Sequence, residues 1–376
     1  MIAPGRILLC WLCAILLGGC ATLAAPNSMG TDAERAAIAA RLMRDIEILS
    51  SDEFGGRAPG SAGEERTLAF LVERMQAAGL VSGTGGGTPW LAPVALVSDG
   101  PEGGNLTLYP ADPRMQDAPR APDDQAEDPS ENGIADDEPR AFTSYNVIGR
   151  LPGGVPGSGA VLLMAHWDHL GYCGKNRGSR TQGDRICNGA IDNASGIAVM
   201  LELAQRLSDA NTPDRDIYFL ATTAEEAGLL GAWAFVRSSP LPLDTIVAAF
   251  NFDTMAVAPA GSPVGFVGEG RTALDPVVRK FIAATGRQSG DKSFADSFVE
   301  RQDGWALLRE GVPAILVSST FGSRAKAGEY FRTDYHSPSD EFGDLELGGA
   351  IDDLLLNELI IRHVADAGRY ARPGAR

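Results

Sequence analysis

The chain has 376 residues, with 32 Lys and Arg against 49 Asp and Glu, for a formal net charge of −17. So acidic a chain, with no visible basic face, excludes nucleic acid as a partner class. Its 44% apolar and 22% charged residues suit a globular protein with a large core, built as one large α/β domain or as two domains.

At the N-terminus, Arg6 precedes an unbroken apolar run from Ile7 to Leu17, followed by Gly18, Gly19 and Cys20. That order of charged, apolar and small residues is the order of a secretory signal, and the run is short for a membrane span. Leu17-Gly18-Gly19-Cys20 resembles a bacterial lipobox. Residues 1–20 are therefore expected to be a signal peptide, and Cys20 to carry a lipid that holds the protein on a membrane. Ordinary signal cleavage and a retained anchor helix are the alternatives. Each exports the protein to the cell envelope, facing the periplasm or the exterior. Cys10 and Cys13 then leave with the signal, so Cys173 and Cys187 remain in the folded body. An oxidising compartment favours a disulfide between them, contributing about 3 kcal/mol for a loop of roughly 15 residues in the chain-entropy model. Two free thiols, or a Cys/His metal site using His169, are the other readings.

Further along, Ile38, Leu42, Ile46 and Leu49 recur at helical spacing, which predicts a helix over Thr31–Ser50 with Asp32 and Glu34 in its first turn. A second helix is expected from Ala62 to Ala78, stopped by Gly79. Residues 110–140 hold ten acids, three Arg and six Pro, which reads as a solvated, flexible acidic insert. A calcium or partner site there would lack regular ligand spacing. Beyond it, short β-branched runs alternate with helical stretches. Strands are expected at Val147–Arg150, Ala160–Ala165, Asp216–Thr222, Ile246–Phe252 and Ala314–Ser318. Helices are expected at Ala194–Leu207, Leu274–Ala284, Gly304–Arg309 and Gly349–Tyr370. This alternation predicts an α/β fold with helices on both faces of a sheet, in one domain spanning 31–375.

Chemistry-bearing residues cluster at the ends of these strands. His166, Asp168 and His169 follow the strand Ala160–Ala165, Glu225 and Glu226 follow Asp216–Thr222, and Asp253 follows Ile246–Phe252. In an open α/β sheet the ligand crevice lies beyond the carboxyl ends of the strands, so residues distant in sequence can converge there. Asp192 precedes a helix, where its simplest role is an N-cap. Together, however, these groups are the types that bind divalent metals.

The segments His166-Trp167-Asp168-His169, Gly189-Ala190-Ile191-Asp192-Asn193-Ala194-Ser195-Gly196, Glu225-Glu226-Ala227-Gly228-Leu229-Leu230-Gly231, Asn251-Phe252-Asp253 and Tyr335-His336-Ser337-Pro338-Ser339-Asp340 resemble five successive motifs of the dizinc aminopeptidases, metallopeptidase family twenty-eight. That family includes leucyl aminopeptidases, glutamate carboxypeptidases and glutaminyl cyclases. Gly56-Arg57-Ala58-Pro59-Gly60 resembles the family's N-terminal segment. The resemblance implies a three-layer α/β/α zinc-exopeptidase-like fold with a central mixed, mostly parallel sheet. It also implies two Zn2+ per chain and peptide substrates. Carried over, His166 and Asp253 would bind one zinc, Glu226 and His336 the other, and Asp192 both. Asp168 would orient His166, and Glu225 would take a proton from a water shared by the two ions. Tyr335 is the candidate donor to the oxyanion, or else a packed tyrosine at a strand end.

His169 is expected to be solvated or to sit behind the ligands, and His363 to be structural. Asp296, Glu300 and Asp303 could hold a substrate amine and are read as surface acids. An exported aminopeptidase is thus the expected activity. A carboxypeptidase or dipeptidase using Arg301 or Arg332 for a substrate carboxylate, a glutaminyl cyclase and a metal-free binding module are the alternatives.

Overall fold

A computed structural model of the chain describes residues 1, 29–99, 105–110, 139–173 and 183–372. The expected signal peptide with Cys20, and the acidic insert apart from its ends, lie outside the described residues.

The elements in chain order are α1 (Asp32–Leu49), α2 (Ala62–Ala77), β1 (Val81–Ser82), β2 (Leu91–Ser98), β3 (Leu106–Leu108), β4 (Arg140–Leu151), β5 (Ala160–His166), β6 (Gly171–Tyr172), β7 (Ile186–Cys187), α3 (Gly196–Ser208), β8 (Asp216–Thr222), α4 (Leu230–Arg237), β9 (Ile246–Asn251), β10 (Gly265–Val267), α5 (Asp275–Ala284), α6 (Lys292–Asp296), α7 (Gly304–Arg309), β11 (Ala314–Ser318), α8 (Arg324–Thr333) and α9 (Leu347–Ala365). In α1 the Thr31 hydroxyl accepts the Glu34 amide at 3.1 Å, and Ile38, Leu42, Ile46 and Leu49 are all buried. A cap contributes about 1 kcal/mol, whereas each buried leucine or isoleucine contributes roughly 1.5–3 kcal/mol. The apolar stripe therefore holds α1 in place more than its cap does.

The main sheet has nine strands, in the order β10-β11-β9-β5-β8-β4-β2-β3, with β1 on β4. Its four inner strands β11, β9, β5 and β8 run parallel, and the strands on either flank pair antiparallel. The expected mixed sheet is present, and its parallel part is confined to this centre. β5 is buried along its whole length, because successive side chains point to opposite faces and both faces are covered. Val161, Leu163 and Ala165 pack into one core with α1, α2, α3, α5 and α9. Leu162 and Met164 pack into the other with α4 and α7. Three layers result, as the motif resemblance implied. Among the described residues no helix is long and apolar enough to cross a membrane.

Among the boundaries that differ from expectation, β4 begins at Arg140 rather than at Val147, and two others have a visible cause. The last helix ends at Ala365 rather than at Tyr370, because Arg215 takes the carbonyls of Val364 and Tyr370 at 2.7 Å each and its amide takes that of Ala365. Those bonds draw the terminal carbonyls out of the helical ladder. α3 starts at Gly196 because Asp192 (φ −110°, ψ 97°) and Asn193 (φ −132°, ψ 38°) are not helical. Cys173 and Cys187 are joined by a disulfide, with Cα atoms 5.7 Å apart.

Candidate metal centre

Because β5, β8 and β9 are parallel neighbours, their carboxyl ends open at one edge of the sheet. His166 pairs with Thr222, and Met164 pairs with Asn251. This register sets Asp253, two residues beyond Asn251, level with His166. The turn after β8 then delivers Glu225 and Glu226.

Asp192 comes from the turn between β7 and α3, and three groups hold it in place. Asp340 accepts the Ile191 amide at 2.8 Å and the Asp192 amide at 3.0 Å, while the Tyr330 hydroxyl donates to Asp340 at 3.0 Å. The Asn193 side chain accepts the amides of Gly196 and Thr254, at 3.0 and 3.2 Å, and donates to the Phe252 carbonyl at 3.0 Å. The Asn193 side chain, not that of Asp192, thus takes the first amide of α3, and the Asp192 carboxylate is turned to His166 and His336 instead. Third, Arg57 is buried and donates to the carbonyls of Leu49, Trp167, Asn188 and Gly189 at 2.5–2.9 Å. One guanidinium thus ties the loop after β5 to the turn carrying Asp192. A side chain at Gly189 could not fit, since a Cβ would lie 2.1 Å from the Asp192 carbonyl oxygen and φ there is +55°.

The five expected ligands and Glu225 converge at this edge. His166 Nε2 lies 3.2 Å from Asp192 Oδ1 and 3.7 Å from Asp253 Oδ1. His336 Nε2 lies 3.5 Å from Asp192 Oδ2 and 2.9 Å from Glu226 Oε2. The two oxygens of one carboxylate thus face two separate His/acid pairs. His336 Nε2 is buried and forms a hydrogen bond to neither acid, so donor atoms of metal-binding type converge without satisfying one another. One oxygen or nitrogen each from His166, Asp192 and Glu226, and again from His166, Glu225 and Asp253, fall within 4.8 Å. The residues fit a pair of divalent cations.

Electrostatics follow from that crowding. Burial works to lower the His166 pKa, but Glu225, Asp192 and Asp253 outweigh it and hold the imidazole well above its usual value. His336 is raised against burial in the same way by Glu226 and Asp192. Burial, opposed by His166 and reinforced by Glu226, Asp303 and Asp253, raises Glu225 well above the ordinary carboxylate range. Glu226 is lowered to about 2, because His336 and His169 overcome its burial. Backbone strain gathers here too. Arg57, Ala224, Thr254 and His336 all have φ between 52° and 54°, a left-handed conformation that costs non-glycine residues on the order of 1 kcal/mol or more and concentrates at functional sites.

The groups behind the ligands differ in detail from expectation. His166 Nδ1 bonds the backbone carbonyl of Asp168 at 3.2 Å, while the Asp168 carboxylate is 3.8 Å away and accepts the Glu225 and Glu226 amides at 3.0 and 3.4 Å. Its side chain thus positions the turn carrying Glu225 and Glu226. His169 is buried rather than solvated, with Nδ1 2.6 Å from Glu226 Oε1. Tyr335 follows a helix rather than a strand, lines the cavity beside the ligands and stacks on His336 with ring centroids 3.7 Å apart. Asp296 and Glu300 lie at the surface as read, but Asp303 does not. Its carboxylate is buried, accepts from the Thr222 hydroxyl and keeps one oxygen without a partner. Burial lifts it to about 6. His363 packs its ring 5.3 Å from that of Phe281, consistent with a structural part.

Residues 146–355, more than half of the chain, match Peptidase family M28. The chain belongs to that family. Aminopeptidase YwaD of Bacillus subtilis (strain 168) is 33% identical over 118 residues, covering 31% of this M28 chain and 23% of that protein. The chain spans less than half of the length of the curated relatives it matches, between 23% and 44%. Its fold is shared by BSAP, a zinc aminopeptidase from Bacillus subtilis (16% identity, TM-score 0.59, 89% of this chain and 97% of that one). It is also shared by Porphyromonas gingivalis glutaminyl cyclase (16% identity, TM-score 0.54, 89% and 99%). Sequence reasoning on this M28 chain assigned no role to Arg57 or Asp340, although both lie inside quoted motifs. Their position in those motifs was the available signal.

Proposed function

We propose that this chain is a zinc-dependent aminopeptidase that removes N-terminal residues from peptides. The observation that carries the reading is Asp192 placed between two His/acid pairs with Glu225 beside them. Family membership supports it. His166 and Asp253 would hold one zinc, His336 and Glu226 the other, and Asp192 both. When bound, the ions would supply Lewis-acid polarisation of the scissile carbonyl and make a nearby water more acidic. Glu225, raised by burial, accepts the proton of the attacking water and returns it to the leaving amine. The Tyr335 hydroxyl donates to the oxyanion. From residues 6–20 we also propose export and a lipid on Cys20, which incorporation of labelled fatty acid into the wild type but not into Cys20→Ala would support.

The test is zinc content together with hydrolysis of paired free-amine and N-acetylated dipeptides, with and without chelator. The expected result is close to two zinc per chain and chelator-sensitive cleavage of the free-amine peptides only. Cleavage indifferent to N-acetylation would overturn the aminopeptidase reading in favour of a carboxypeptidase. One zinc per chain with cyclised product from N-terminal glutamine would do so in favour of a cyclase.

A further inference from the structure

Past the metal-binding end, the wall of the cavity is built from Phe298, Leu316, Phe321 and Phe331, and Arg301 is its one Lys or Arg. Most other buried or half-buried arginines hold a carboxylate at close range. Arg41 lies 2.6 Å from Glu202, Arg74 2.8 Å from Asp45, Arg206 2.8 Å from Glu34 and Arg287 2.7 Å from Asp353. Among the described residues Arg301 forms no ion pair and no side-chain hydrogen bond, and its guanidinium sits 5.6 Å from the Phe298 ring centroid. In a chain of net charge −17, beside a site this rich in acids, an arginine with no internal carboxylate is free to take one from outside.

The neighbouring polar groups are committed. Gln302 donates to the Val299 carbonyl at 3.1 Å and accepts the Gly304 amide at 2.8 Å, and the Thr254 hydroxyl donates to Asp253 at 2.8 Å. Arg332, the other cation weighed for such a role, is exposed on α8 and does not line the cavity. A planar guanidinium partly shielded by an aromatic ring is suited to bidentate capture of a carboxylate.

We propose that Arg301 binds a carboxylate of the substrate close to the scissile bond and so gives the enzyme a preference for acid-bearing substrates. This rests on the peptidase reading above. The carboxylate is either the side chain of an N-terminal Glu or Asp, or the free C-terminus of a dipeptide.

The experiment compares the zinc-loaded full chain with Arg301→Met and Arg301→Lys. The substrates are the 4-nitroanilides of Glu, Gln and Leu, with Leu-Gly against Leu-Gly-amide. Calorimetric binding of free glutamate and glutamine runs alongside. The wild type is expected to favour one carboxylate over its amide by about tenfold in kcat/KM. Arg301→Met should erase that ratio while leaving Leu nitroanilide within about threefold, and Arg301→Lys should restore part of it. The substrate pair that loses its ratio names the source of the carboxylate. Equal loss on all substrates, mainly in kcat, would assign Arg301 to the oxyanion and overturn the proposal, as would a wild type that does not discriminate. If no substrate is turned over, the peptidase reading fails, and calorimetry still decides. Glutamate binding selectively weakened by Arg301→Met supports the carboxylate site, and unchanged binding overturns it.

Discussion

His169 Nδ1 stands 2.6 Å from Glu226 Oε1, with the imidazole fully buried and the carboxylate 8% exposed. The contact fixes one oxygen of Glu226 and so turns the other toward His336, 2.9 Å away. Partners behind metal ligands typically govern affinity by 10–100-fold. His169→Ala is expected to weaken zinc binding by roughly that factor in a competitive chelator titration, and His169→Gln by less. Unchanged affinity in His169→Ala would show that Glu226 needs no such support.

In the proposed mechanism Glu225 is the proton carrier and is not one of the zinc ligands. Glu225→Gln should keep its zinc and its thermal stability while kcat falls by roughly 10²–10⁴. Loss of zinc along with activity would make Glu225 a ligand instead, and full activity would remove it from the mechanism.

Arg57 holds four buried carbonyls, and deleting its guanidinium strands them. A buried polar group left unsatisfied costs about 1–3 kcal/mol, so Arg57→Met should lose at least about 3 kcal/mol in chemical denaturation. Lysine reaches fewer acceptors and should recover only part of this. A loss below about 1 kcal/mol would mean that the two loops keep their places without the clamp.

The acids of the site also set how stability depends on pH. Burial raises Asp168 and Asp340 from 3.8 to about 7, and Asp303 to about 6. These groups bind protons more tightly folded than unfolded, so stability declines as pH climbs from about 4 toward 7. His166 and His336, held high by their acids, act in the same direction. Asp192 and Glu226, held low, act oppositely but only below about pH 4.5. Chelator-treated protein should therefore melt at lower temperature at pH 8 than at pH 5. Zinc, which binds the deprotonated ligands, should reverse that order. A melting temperature that rises with pH in chelator would contradict this assignment.

Much of this protein was legible as one-dimensional pattern. The bounds of β8, α7 and β11 match the expected Asp216–Thr222, Gly304–Arg309 and Ala314–Ser318, because buried runs and helical stripes are local signals. His166, Glu226 and Asp253 stood out at strand ends, Asp192 and His336 entered the expected ligand set through the motif resemblance, and strand register then brought Asp253 level with His166. β2 and the first half of β4 were missed: β2 carries apolar Ala95 and Val97 and the strand-breaking Pro93 on its less buried side, so the expected polar alternation is absent, and the start of β4 adjoins the acidic insert. Whether Asp303 was a surface acid or a buried one could not be read from its neighbours in sequence. Its burial arises because α7 packs against β9 and β11, which brings Asp303 at its start to Thr222 at the end of β8, and only chain packing makes that contact. Sequence by itself determined which side chains were available for metal chemistry. Tertiary structure decided that Arg57 locks the loops and that Asp192 turns its second oxygen to His336, because Arg57 meets Trp167 and Asn188, and Asp192 meets His336, only when segments more than one hundred residues apart in sequence pack together.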